Sequence, residues 1–101
     1  MGVPTRPFDA AKYLNAPEAV AEYMTAAFET DDLAFIADAI GVIARSKGMS
    51  QVARDAGVAR ESLYKALSPS GNPEFGTVLR VLQSLGLRLT AEVRETSLEP
   101  A

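Results

Sequence analysis

At 101 residues the chain has the length of one domain, and 48% hydrophobic with 23% charged residues is the composition of a folded globule rather than a disordered segment. It contains no cysteine and no histidine. That excludes disulfides, thiolate metal sites and cysteine nucleophiles, and removes the commonest general base and the commonest transition-metal ligand. A formal charge of −3 points, taken whole, away from nucleic acid.

The first thirty residues lack the apolar run of about 7–15 residues that a secretory signal needs, and nothing later approaches the ~20 of a membrane span. A cytoplasmic protein with no membrane contact is the expectation. Residues 1–14 form an N-terminal arm containing Pro4 and Pro7, with Phe8, Tyr13 and Leu14 suited to docking. Asn15-Ala16-Pro17-Glu18 reads as a helix start, Asn15 capping, Pro17 in the first turn and Glu18 closing a capping box. Ala19, Val20, Tyr23, Met24, Ala27 and Phe28 follow at three- and four-residue spacing as its apolar face.

Thr30-Asp31-Asp32 ends this helix and caps a second, which groups Phe35, Ile36, Ala39, Ile40 and Ile43 and stops near Lys47-Gly48. A third, short helix opens at Met49 or Ser50 and runs to Ala56, where Gly57 ends it. A fourth spans about Arg60 to Leu67, and the turn cluster Ser68-Pro69-Ser70-Gly71-Asn72-Pro73 follows. The fifth, Glu74 to Leu85, carries Phe75, Val78, Leu79, Leu82 and Leu85 and terminates at Gly86. The helical region thus spans 15–86.

The period then changes to two. Leu87, Leu89, Ala91 and Val93 alternate with polar residues, the pattern of a half-buried strand over 87–93. A strand needs a ladder partner. Residues around Val3–Phe8 can supply one, or a second chain can, and a dimer through this strand is the favoured expectation. Residues 94–101 are polar and read as a frayed tail.

Residues 49–67 carry the main functional signal, two short helices about a glycine turn. In a helix-turn-helix the helices cross at roughly 90–120° over a short turn, so the crossing admits only a small side chain. Ala53 fits there, Gly57 supplies the positive φ, and Val52, Val58, Leu63 and Ala66 or Leu67 face the shared core. A plain helical hairpin is the competing reading. At 100° per residue the outer face of the second helix shows Glu61 and Lys65, flanked by Arg60 and Tyr64 on one edge and Ser62 on the other. Arg60 and Lys65 can donate to guanine, Glu61 can accept from cytosine, and Ser62 can serve a base or a phosphate. Arg60 and Lys65 also have a plainer reading as solvated surface charges.

Phosphate contacts are assigned to Gln51 at the amino end of the preceding helix, to Arg45, Lys47 and Arg54, and to Ser68. The loop holding Ser68 reads equally well as a connector. Tyr64 has two readings, a phosphate contact or a partly buried ring with its hydroxyl at the rim.

Divided by segment, the charge changes meaning. Residues 1–44 hold two cations and seven anions, net −5; residues 45–65 hold five cations and two anions, net +3; residues 66–101 hold three and four, net −1. Positive charge concentrates on the segment assigned to DNA.

Residues 8–93 resemble the addiction-module antidote family, antitoxins of the HigA type with a lambda-repressor-like (Xre/Cro) helix-turn-helix. The matching stretches are Phe8-Asp9-Ala10-Ala11-Lys12-Tyr13-Leu14, Pro17-Glu18-Ala19, Gly57-Val58-Ala59-Arg60-Glu61-Ser62-Leu63-Tyr64-Lys65-Ala66-Leu67-Ser68, Gly71-Asn72-Pro73-Glu74-Phe75 and Leu85-Gly86-Leu87. The resemblance implies a mainly α fold, a five-helix lambda-repressor-like helix-turn-helix domain with one C-terminal β-strand. It also implies a dimeric antitoxin, encoded beside a basic RelE/HigB-like toxin, that represses its own operon by binding operator DNA.

Two positions depart from the family pattern: Ala59 stands where Ser is common before the recognition helix, and Gly76 where an acidic residue is usual. The resemblance also suggests a use for Glu18, Glu22, Glu29, Asp31, Asp32 and Asp38, as a toxin-facing acidic surface. Their other reading is a solvated helix face. Competing functions are a stand-alone phage-type (prophage) regulator and a protein-interaction module without DNA binding. Catalysis is not expected, since no carboxylate pair or glycine-rich phosphate loop forms a recognisable motif, and no cofactor, metal or small-molecule ligand is expected either.

Overall fold

Pro17, with its φ already fixed for a helix and no N–H to lose, opens the first helix. The structure, a computed structural model, describes residues 16–95. Its described residues form five helices: α1 Pro17–Glu29, α2 Leu33–Lys47, α3 Met49–Ala56, α4 Arg60–Ala66 and α5 Phe75–Ser84. The expected arm, residues 1–14, and the last six residues of the expected tail lie outside the described residues. None of the described helices is long and apolar enough to cross a membrane.

Local chemistry sets the boundaries. The N-cap of α1 is Ala16, which makes no side-chain cap bond, and Asn15 of the expected Asn15–Glu18 capping box lies outside the described residues. Pro17 sets this boundary. At the other end the Thr30 hydroxyl donates to Ala27 O at 2.7 Å and accepts from Asp32 N at 3.1 Å. Asp32 then caps α2, accepting from Phe35 N at 3.2 Å. Gly48, at φ 111°, ends α2 and begins α3. Gly57, at φ 72° and ψ 31°, ends α3 in the left-handed conformation, and Val58 N–H donates back to Ala53 O at 3.0 Å.

The core gathers around Ile40, Ile43, Val52, Leu63, Leu67, Val81 and Leu82, all fully buried. The α2 helix buries Ala37, Ala39, Ile40, Gly41, Ile43 and Ala44, which leaves little of its middle in water. It packs on α1 and α3, and α3 packs in turn on α4 and α5. Gly41 marks a close approach, because a Cβ there would stand 2.8 Å from the Leu67 carbonyl oxygen at the end of α4. Gly41→Ala is expected to lower stability by about 1–3 kcal/mol through this overpacking, against a helix-propensity gain of up to about 1 kcal/mol. A urea unfolding midpoint at or above that of the parent chain would contradict this.

Two expected core residues are corrected. Phe35 is 50% exposed and Phe75 is 67% exposed. Each sits in the first turn of its helix, where the apolar stripe has run past the neighbouring elements.

The C-terminal strand is also corrected. Among the described residues there is no strand, and Leu87, Leu89, Ala91 and Val93 sit in no ladder. The Leu87 N–H is taken by Leu82 O at 2.9 Å, which closes α5 through Gly86 at φ 81°. Leu87 packs against the core, while Ala91 is exposed and Leu89 and Val93 are 36% and 69% exposed. The segment is held by a two-pronged ion pair instead. Arg94 Nη1 lies 2.7 Å from Asp31 Oδ2, and Nη2 lies 3.3 Å from Oδ1.

Hydrogen bonding from Arg94, then its charge, holds the Asp31 carboxyl below its ordinary value of 3.8. A lowered folded pKa stabilises the pairing above the ordinary value, and that stabilisation is lost as pH falls through the lowered one. The chemical shifts of residues 87–95 are therefore expected to move as pH falls below about 4. An Asp31 carboxyl that titrates at or above 3.8 by NMR would contradict the pairing.

Candidate nucleic-acid interface

The α3–α4 pair presents a polar surface because its apolar residues are so thoroughly used inside. Val52, Ala53, Leu63 and Leu67 are buried, with Leu63 at 1% exposure, so α4 can turn in only one direction. Val58 and Ala66 are half-buried. This leaves Arg60, Glu61, Ser62, Tyr64 and Lys65 exposed on the far side of α4. Ala53, at 3% exposure, packs within the buried cluster as a small residue at a helix crossing should. Ala59 is the N-cap of α4 and provides no side-chain cap, as a methyl must.

Within this surface the side chains are ordered by their neighbours. The Arg60 guanidinium lies 5.1 Å from the centre of the Tyr64 ring, and its Nη2 is 3.4 Å from the Tyr64 hydroxyl. Such a stack restrains a long side chain before any partner arrives. Tyr64 is 40% exposed, with its hydroxyl beside the Arg60 guanidinium. On α3, Gln51 Nε2 donates to Asp55 Oδ1 at 2.9 Å, while Gln51 Oε1 accepts from Arg54 Nη2 at 3.0 Å. Gln51 and Arg54 therefore form one exposed network along the outer side of α3.

The remaining expected phosphate contacts differ in availability. Arg45 and Lys47 are exposed in the last turn of α2. The Ser68 hydroxyl is occupied locally, donating to Lys65 O at 2.9 Å and lying 3.3 Å from the Ser70 hydroxyl. It closes the end of α4.

One structural residue of the site escaped sequence reasoning. Arg80 of α5 donates through Nε to Ala56 O at 2.9 Å, placing a cation on the C-terminal end of α3 and tying the pair to α5. The residues lie 24 apart in sequence, and no local pattern announces the contact.

The expected acidic surface separates into four groups. Glu18, Glu22 and Glu29 are exposed along α1, Asp31 is paired with Arg94, and Asp32 is engaged as the cap of α2. Asp38 is half-buried.

Fold and surface together define a small, helical protein class, with five helices carrying one polar, cation-bearing helix pair. The chain belongs to the family described as "Probable addiction module antidote protein", whose model matches residues 4–93. It is also similar to an uncharacterized protein of Haemophilus influenzae, 45% identical over 85 residues, which covers 84% of this chain and 88% of that protein. No solved structure gave a significant match. An antidote implies a toxin that it counters.

Proposed function

We propose that the chain is a DNA-binding antitoxin of a type II module, which neutralises a basic RelE/HigB-like toxin and represses its own operon from the cytoplasm. The α3–α4 pair acts as a helix-turn-helix of the Xre/Cro type. In this reading α4 enters the major groove, with Arg60, Glu61, Ser62 and Lys65 toward base edges. Arg45, Lys47, Gln51 and Arg54 hold the phosphates, Tyr64 and Ser68 standing at the edge of that contact. The single observation that carries the reading is the α4 surface, where five exposed polar side chains stand opposite buried Leu63 and half-buried Ala66. The net +3 of residues 45–65 agrees with it, since the rest of the chain is acidic.

A homodimer is part of the proposal on geometric grounds. Helix-turn-helix proteins read half-sites about one helical turn apart, and a two-fold pair of chains matches a two-fold operator. The acidic residues of α1 and its following turn serve the toxin, whose positive charge they steer and complement.

The test is a gel shift with the DNA upstream of the gene, titrated with salt. Each phosphate neutralised contributes about −0.9 to the slope of log K against log salt, so the three phosphate-holding cations Arg45, Lys47 and Arg54 are expected to give about −2.7 per chain. A sequence-selective shift with a steep slope supports the reading. Binding that is absent, or indifferent to both salt and sequence, overturns it.

A further inference from the structure

The Asp31–Arg94 pair ties residues 87–95 alongside α1, and between them runs a groove of about 740 Å³. Its walls carry apolar surface from Phe28 and Leu87, both half-buried, and from the more exposed Leu89 and Val93. Its rim carries Glu29, Glu92 and Glu95 against Arg88, and among the described residues no ion pair joins any of these four. With Asp31 and Arg94 cancelling each other, the rim is net −2. Glu18 and Glu22 extend the negative charge along the exposed side of α1, and residues 16–44 contain no cation at all. No residue of α3 or α4 lines the groove.

We infer that this groove is the seat of the toxin, receiving a segment of that protein with an apolar centre and flanking Lys or Arg residues. The inference rests on the antidote reading and gives it a location. Charge chooses among occupants. A second copy docked groove to groove about a two-fold axis would bring acidic rim against acidic rim, which opposes association. DNA would meet the same repulsion from its phosphates. A basic protein meets attraction at the rim and gains burial of Leu89 and Val93 at the walls. Because α3 and α4 do not line it, filling the groove leaves the DNA-reading surface uncovered.

The test uses the full chain and the protein encoded by the adjacent reading frame, with affinity measured by calorimetry. Two double variants probe the two contributions, Glu29→Lys with Glu92→Lys at the rim, and Leu89→Ser with Val93→Ser at the walls. All four positions are exposed, so thermal unfolding and the shift of upstream DNA are expected to match the parent chain and serve as controls. The rim variant is expected to weaken toxin binding about tenfold at low salt, the difference shrinking as salt rises. The wall variant is expected to weaken it about thirtyfold at any salt.

Parent-like affinity in both variants would overturn the assignment while leaving the antidote reading intact. If the parent chain itself does not bind the adjacent product, the antidote reading falls and the groove falls with it. Dissociation of a homodimer by the wall variant would assign the groove to a second copy. Faster amide exchange at 87–95 on deleting residues 1–14 would assign it to the arm. Either result overturns the inference.

Discussion

Leu63→Ala is expected to cost about 2–5 kcal/mol of folding stability and to weaken the proposed DNA binding with it. The side chain is 1% exposed and joins a buried cluster with Ile40, Ile43, Val52 and Leu67. Helix α4 has only seven residues, too few to persist by propensity, and Ala59 gives its first turn no side-chain cap. Packing through Leu63 and Leu67 is what keeps it helical. For a chain of this size total stability is about 5–15 kcal/mol, so the loss is a large share of the whole. Leu33→Ala is the matched control: Leu33 is 58% exposed, and its removal is expected to change stability by less than about 0.5 kcal/mol. Urea unfolding of the two variants checks the contrast, and equal costs would contradict the core assignment.

Arg60→Ala is expected to weaken specific operator binding about 10- to 100-fold with little change in stability. The residue is exposed and is restrained by Tyr64 rather than by the core. A guanidinium that donates to guanine carries discrimination worth about 1–3 kcal/mol, so the loss should fall on the cognate sequence. Lys47→Ala, a phosphate contact in the proposed arrangement, should weaken cognate and unrelated duplexes alike and make the salt slope about one unit shallower per chain. Competition gel shifts with cognate and scrambled duplexes separate these outcomes. An Arg60→Ala chain that keeps its full preference for the cognate duplex would remove Arg60 from base reading.

The helices were legible because their ends are written locally. Pro17, Gly48, Gly57 and Gly86 each act within a few residues of themselves, and apolar periodicity fills the intervals between them. Periodicity reports which face of a helix is apolar, but not whether a neighbour extends far enough to cover it. Phe35 and Phe75 lie on the right faces and still emerge into solvent, each in a first turn beyond the packing.

The 87–93 segment forms no strand among the described residues for a related reason. Alternation is local, whereas a ladder depends on a partner backbone that the segment does not contain. The contacts that tie the site and the 87–95 segment to the rest are long in sequence, Arg80 to Ala56 across 24 residues and Arg94 to Asp31 across 63. The exposed face of α4 was legible residue by residue, since 100° per residue and two buried leucines fix it. The stacking of Arg60 on Tyr64 and the local use of the Ser68 hydroxyl are properties of rotamers, which no spacing encodes.

Growth rescue tests the antidote assignment most directly. Cells expressing the adjacent reading frame are followed with no antidote, with the parent chain, and with an Arg60→Ala, Lys65→Ala variant. The parent chain and the variant are both expected to restore growth, because the surface proposed to read DNA is distinct from the acidic side proposed to meet the toxin. Only the parent chain is expected to silence a reporter placed behind the upstream DNA. Continued growth arrest in the presence of the folded parent chain would contradict the assignment.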